Sequence, residues 1–258
     1  MVEEISISIV CGIFNEQDNF KKIKKNLELC EMDSSIEFIF VNDGSTDNTK
    51  KLMTSVLSDR VILINKKNSG LASALNLGVQ HSRGRYIARI DADDLILPKR
   101  LQIQLNFLEE YGLDFCGSFC FIRGSDGQDK LHKVPTGYEN IKKYISIENP
   151  FVHSTIFAKR SVFLENPYDE SYKFMQDYEL WTRLVKKYRC DNLPIPTVVR
   201  YEDNNFDSRE TYKNLKKWQY YKRKSKIQFK AFIQYPVFTY KVSFIKNFFL
   251  YIFRRYVS

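Results

Sequence analysis

The chain has 258 residues, 43% apolar and 28% charged, which suits one large globular domain with an appendage and excludes wholesale disorder. Its net charge of +9 is uneven: residues 209–258 carry 13 Lys and Arg against the one acid Glu210, whereas residues 1–208 carry 27 basic and 30 acidic side chains. Five cysteines without a CxxC pair argue against a disulfide framework or a zinc cluster, and no apolar run approaches about 18 residues, so no membrane span is predicted.

The opening "MVEEISISIV" is acidic and then strand-like, with no basic n-region or apolar h-region, so no signal peptide is expected. Short β-branched or aromatic runs predict strands at 5–10, 36–41, 61–64 and 85–90. Helix-like spacing fills 17–30, 47–58 and 70–82 between them. Such alternation argues for an α/β fold with a mostly parallel central sheet flanked by helices. Ligands of these sheets bind beyond the carboxyl ends of the strands. Three polar clusters fall there: "NE" at 15–16, "NDGSTD" at 42–47 and "DADD" at 91–94.

Beyond Pro98 a helix is predicted to about Tyr111, and "DFCGSFCFIRGSDG" reads as a strand entering a turn. "FVHSTIFAKRSVF" (151–163) reads as a strand and a short helix, with His153 on the strand. Residues 176–188 form an amphipathic helix with Leu180, Trp181, Leu184, Val185 and Tyr188 on one stripe. The body therefore runs to residue 207, and 208–258 is a basic, aromatic, helical extension.

Asp91 and Asp93, two apart in an extended chain, point to one side at roughly 6–7 Å. Unscreened, they cost about 2–3 kcal/mol at an effective dielectric near 20. Either water solvates them, with Asp94 capping the next helix, or a cation held between carboxylates and phosphates neutralises them. No GxxxxGK[ST] and no GxGxxG is present, so neither a P-loop nor a Rossmann dinucleotide site is supported. Asp43 is adequate as an Asx-turn residue, and its carboxylate could also accept from a base N–H at the strand's end. Asp177 is either a first-turn acid favoured by the helix dipole or a general base over the cleft. His153 is either structural or a contact to a metal or an acceptor.

In this order and at these separations, "SIVCGIFNE", "VNDGSTDNT", "NSGLASALNLGVQHSRGRYIARIDADD", "HSTIFAKRSVF" and "QDYELWTRL" resemble the family 2 inverting glycosyltransferases of GT-A fold, over roughly residues 5–200. The resemblance implies a nucleotide-binding half over about 1–98 and an acceptor half over about 99–207. It implies that Asp43 binds the uracil or other base, with Phe14 and Asn15 lining the nucleotide pocket. Asp91 would contact the ribose or lie beside the metal, Asp93 would be the main protein ligand of Mn²⁺ or Mg²⁺, and Asp177 would be the catalytic base. One departure is Gln176, where many relatives carry Glu before the Asp.

The activity so implied moves a sugar, from a UDP-sugar, onto a polyprenyl-diphosphate-linked saccharide of a bacterial O-antigen or capsule. A sugar-phosphate nucleotidyltransferase and a catalytically idle sugar-nucleotide-binding scaffold are the rival readings. The absence of a Gly-rich phosphate loop after the first strand counts against the former. The extension interleaves Lys and Arg with Trp, Tyr and Phe, which suits either packing on the body or peripheral contact with an anionic membrane. No nucleic-acid-binding motif accompanies the charge. The expected location is cytoplasmic, at the inner face of the cytoplasmic membrane.

Overall fold

The structure, a computed structural model, describes residues 5–31, 33–201, 217–234 and 238–256. Its first half is a parallel sheet in the order β3–β2–β1–β4, comprising β1 (Ile7–Ile13), β2 (Ile36–Asn42), β3 (Val61–Asn65) and β4 (Tyr86–Arg89). Every residue of β2, IEFIFVN, is buried, as expected of a strand covered on both faces. Helices α1 (Phe20–Glu31), α2 (Thr49–Thr54) and α3 (Leu71–His81) make the crossovers. On α3, a Cβ at Gly78 would stand 2.5 Å from Val10 Cγ1, so the bare glycine lets the helix lie against β1.

The second half is mixed. β4 pairs antiparallel with β8 (Phe157–Lys159), and β8 pairs antiparallel with β6 (Phe115–Arg123). β6 then pairs parallel with β9 (Cys190–Tyr201), and β5 (Leu95–Ile96) closes on β9. A hairpin brings β7 (Asp129–His132) onto β6. The helices of this half are α4 (Arg100–Glu110), α5 (Tyr138–Tyr144), α6 (Arg160–Glu165) and α7 (Gln176–Leu184).

Alternate residues of each strand feed two cores on opposite faces. Ile9, Cys11, Phe38 and Phe40 serve one; Val10, Ile87, Phe115 and Trp181 serve the other. The helix expected over 176–188 ends at Leu184, but the stripe is buried as expected: Leu180, Trp181, Leu184 and Val185, just past its end, are fully buried, and Tyr188 packs at the margin.

Three strands were not predicted: β5, β7 and β9. β9 carries Pro194 and Pro196, which cannot donate to a ladder and argue against a central strand. The sheet accommodates them by register shifts between Ser118 and Phe119 and between Phe119 and Phe121. His153 is also corrected. It begins a 3-10 turn, His153–Thr155, in which both the N–H and the hydroxyl of Thr155 donate to Val152 O at 2.9 and 2.8 Å.

Of the extension, α8 (Lys217–Gln234) and α9 (Phe238–Tyr256) are helical and pack on each other, and α8 packs on α7. Ile227 and Ala231 of α8 are buried, Gln228 Nε2 donates to Ser146 O at 2.8 Å, and Lys224 pairs with Glu148 at 2.6 Å. The expected boundary at 207/208 lies outside the described residues. No described helix is long and apolar enough to cross a membrane.

Candidate active site

Because β1, β2 and β4 run parallel, their carboxyl ends and the loops that follow meet at one edge of the sheet. Ile13 is level with Asn42, and Val10 with Arg89. A cleft of about 670 Å³ opens there. Phe14, Asn15, Asp43, Asp91 and Asp93 all line it, so five of the seven residues singled out from sequence converge. Asp177 and His153 do not line it directly, but Gln176, next to Asp177, does.

Backbone conformation and local hydrogen bonds shape the loops after β1 and β2. Asn15 adopts a left-handed conformation (φ 56°), which an Asn tolerates better than most residues. Its Oδ1 accepts the Thr46 N–H at 2.8 Å and its own N–H donates to Ser45 Oγ at 3.0 Å, so the loops after β1 and β2 are tied together. Asp43 is buried, and its carboxylate accepts from Lys66 Nζ (2.6 Å) and from the N–H groups of Ser69 (2.9 Å) and Gly70 (2.7 Å). The same side chain therefore fixes the loop that leads into α3. Across the mouth, Lys173 Nζ donates to Ser69 O at 2.6 Å and joins the segment before α7 to that loop.

Asp91, Asp93 and Asp94 each place a carboxylate oxygen within 4.8 Å of the others. Asp91 pairs with the buried Arg89 guanidinium at 2.5 Å. Ser154 Oγ stands between Asp91 Oδ2 (2.8 Å) and Asp94 Oδ2, and its one proton can serve only one of them. Burial, then the charges of Asp91 and Asp93, push the Asp94 carboxyl up to about 7. Glu16, in the loop after β1, is also pushed up to about 7. Burial is the largest cause, the Asn19 hydrogen bond opposes it, and Asp93 and Asp91 add to it.

This arrangement fits a divalent cation. Asp94 Oδ1 is buried with no hydrogen-bond partner among the described residues, and the surrounding donors are hard carboxylate oxygens of the kind Mg²⁺ and Mn²⁺ take.

Asp177 sits in the first turn of α7. Met175, left-handed at φ 60°, turns the chain sharply just before Gln176 and Asp177. Asn149 Nδ2 donates to Asp177 Oδ2 at 2.8 Å. Burial raises the Asp177 carboxyl above its ordinary value, opposed by the Tyr178 N–H, by the charge of Arg89 and by Asn149. A half-buried carboxylate whose affinity for protons is raised is chemically suited to general-base work. His153 Nε2 is hydrogen-bonded to the Tyr168 hydroxyl at 2.8 Å, and its ring meets Trp181 edge-on at 6.1 Å. Its neighbour Ser154 touches the acid cluster.

Sequence reasoning missed Arg89, Ser154 and Asn149, and treated Glu16 only as part of a polar pair. For Ser154 and Asn149 no local signal exists, because their partners lie 63 and 28 residues away along the chain. Arg89, a charged residue inside an otherwise apolar strand two places before Asp91, was the one visible clue.

Residues 8–166 match Glycosyl transferase family 2, and the chain belongs to that family. An uncharacterized glycosyltransferase of Methanocaldococcus jannaschii, MJ1057, is 28% identical over 249 residues, covering 92% of this chain and 85% of its own. The amylovoran biosynthesis glycosyltransferase AmsE of Erwinia amylovora is 27% identical over 195 residues, covering 72% and 73%. Among solved structures, S. aureus TarS 1-349 in complex with UDP-GlcNAc superposes with a TM-score of 0.67 at 15% identity, over 86% of this chain and 66% of TarS 1-349. The mannosyltransferase PcManGT of Pyrobaculum calidifontis, in complex with GDP-Man and Mn²⁺, gives 0.59 at 15% identity, over 88% of this chain and 63% of its own. These likenesses establish the GT-A fold.

Proposed function

We propose that the chain transfers a sugar from a UDP-sugar, with inversion, to a polyprenyl-diphosphate-linked saccharide at the inner face of the cytoplasmic membrane, in the assembly of a bacterial surface polysaccharide of O-antigen or capsule type. The observation that carries this reading is a single cleft bordered by Asp43, by Asp91 and Asp93, and by Gln176 next to Asp177. The UDP-GlcNAc complex of TarS supports a nucleotide-sugar donor, and the name of AmsE supports polysaccharide synthesis.

In this reading Phe14 and Asn15 border the base, and Asp43, whose carboxylate retains lone pairs beyond its three donors, accepts from a base N–H. Asp91, steadied by Arg89 and Ser154, lies beside the ribose or the metal. Asp93 is the principal protein ligand of a Mn²⁺ or Mg²⁺ ion, which when bound takes up negative charge developing on the diphosphate. Asp177 accepts the proton of the acceptor hydroxyl as that oxygen attacks the anomeric carbon. The bond from that carbon to the diphosphate breaks with its electron pair leaving on the nucleoside diphosphate, and attack from the opposite face inverts the centre.

The experiment incubates the protein with Mn²⁺, a panel of UDP-sugars and a polyprenyl-diphosphate-linked sugar, and follows UDP release and the anomeric configuration of the product. Acceptor-dependent UDP release with an inverted linkage is expected. Release of inorganic diphosphate from a nucleoside triphosphate and a sugar phosphate would instead identify a nucleotidyltransferase, and binding without turnover an idle scaffold.

A further inference from the structure

Helix α9 turns polar side chains inward and apolar ones outward. On α9, Ser243 and Asn247 are buried, and Asn247 Nδ2 donates to Gln228 Oε1 of α8 at 2.8 Å and to Ser243 O at 3.0 Å. Val242, Ile245, Phe249 and Phe253, spaced i, i+3, i+7 and i+11, form one stripe on the opposite side and are exposed, Phe249 at 67%. Phe229 and Ile233 of α8 are exposed as well, Ile233 at 64%. Half of the exposed large apolar side chains among the described residues thus lie on these two helices. A helix pair stabilised only by the body would place its phenylalanines inward and its Ser and Asn outward.

We infer that this stripe is a lipid-docking surface that lies in the interface of an anionic membrane. Its charge selects the occupant. Residues 217–256 contain ten Lys and Arg and no Asp or Glu. Exposed Lys222 and Lys246 remain available to headgroups, whereas Lys224 is held by Glu148, Arg223 lies over the Phe174 ring at 4.1 Å and Lys226 over the Tyr172 ring at 5.9 Å. Basic residues beside an exposed apolar stripe suit an anionic bilayer surface. A second copy seated on the same face would bring like charges together. Nucleic acid would use rings for stacking and gain little from Ile233, Val242 and Ile245.

The surface is joined to the catalytic body. Lys230 of α8 pairs with Glu179 of α7 at 3.1 Å, and Phe174, beneath Arg223, lines the cleft. Its biological purpose rests on the proposed lipid-linked acceptor, but lipid binding itself can be measured without it.

The test is flotation of the full chain with phosphatidylcholine vesicles, with and without phosphatidylglycerol. The wild type is expected to float, more strongly when phosphatidylglycerol is present. Ile245→Ser with Phe249→Ser should lower binding to both vesicles by about tenfold or more. Lys222→Glu with Lys246→Glu should abolish the phosphatidylglycerol preference. Neither pair should alter thermal stabilisation by UDP and Mn²⁺, which separates failure of this surface from failure of the sugar-transfer reading. Wild-type protein that stays unbound, variants that float like wild type, or a dimer that the Ser pair converts to monomer without changing flotation would each overturn the inference.

Discussion

The two halves of the sheet hold their functional groups by different means. In the first half, Asn15, Asp43 and the acid cluster sit on loops after parallel strands, positioned by backbone N–H groups and by a few charged partners such as Lys66 and Arg89. In the second half, Asp177 sits on a helix whose inward face is locked in a core. Trp181 is fully buried against Phe115 (5.8 Å), Phe151 (5.6 Å) and Phe163 (6.4 Å). In the first half the cleft-lining Asn15, Asp43, Asp91 and Asp93 stand outside the packed apolar core of the sheet. In the second half, the proposed base and the packed core share one helix.

Substitutions can break this contrast. Asp177→Asn is expected to lower the transfer rate by about 10²–10⁴-fold while UDP-sugar affinity stays within a few-fold, since it removes a base without emptying the core. A near-normal rate would remove Asp177 from its role. Trp181→Ala should cost about 3–5 kcal/mol of unfolding free energy in a denaturant titration, the range for large aromatic truncations in a core. A cost below about 1 kcal/mol would show that packing does not hold α7. In the first half, Lys66→Ala should cost about 1–3 kcal/mol, through the loss of the charged hydrogen bond to buried Asp43, and weaken UDP binding by about fivefold. An effect as large as that of Trp181→Ala would erase the distinction between the halves.

The smallest effect sharpens the contrast through pH. Burial raises the Asp177 carboxyl and Asn149 restrains it by hydrogen bonding to the charged form. A base must be deprotonated, so activity should fall as pH drops through the Asp177 pKa, which burial raises above the ordinary Asp value. Asn149→Ala removes a contact that favours the charged form, so the limb should move to higher pH. A limb that stays in place, or moves down, would contradict the assigned coupling.

The contrast also explains what was legible in the sequence. The parallel half announces itself because each strand is a short apolar run and each site residue falls just beyond a run's end; Asp43, Asp91 and Asp93 could be placed by counting. The mixed half hides its long strand behind Pro194 and Pro196, and its hairpin strand β7 behind four exposed residues. Asp177 was identifiable by motif, but Asn149 and Ser154, which position the acids, become neighbours only when the chain folds. In the extension, basic and aromatic composition left packing and membrane contact both open, and only the structure separates Lys224, paired inward, from Lys246, which faces solvent.

The central claim is that Asp93 and its neighbours join a cation to the diphosphate of a sugar nucleotide. The most direct measurement is thermal stabilisation of wild type and Asp93→Ala by UDP and UDP-sugars, with and without Mn²⁺. Ligand at a hundred times its dissociation constant adds about 2.7 kcal/mol, a readily visible rise in Tm. Stabilisation that requires Mn²⁺ in the wild type and disappears in Asp93→Ala, with the unliganded Tm kept within about 2 °C, is the predicted result. Equal Mn²⁺-dependent stabilisation of both proteins would contradict it.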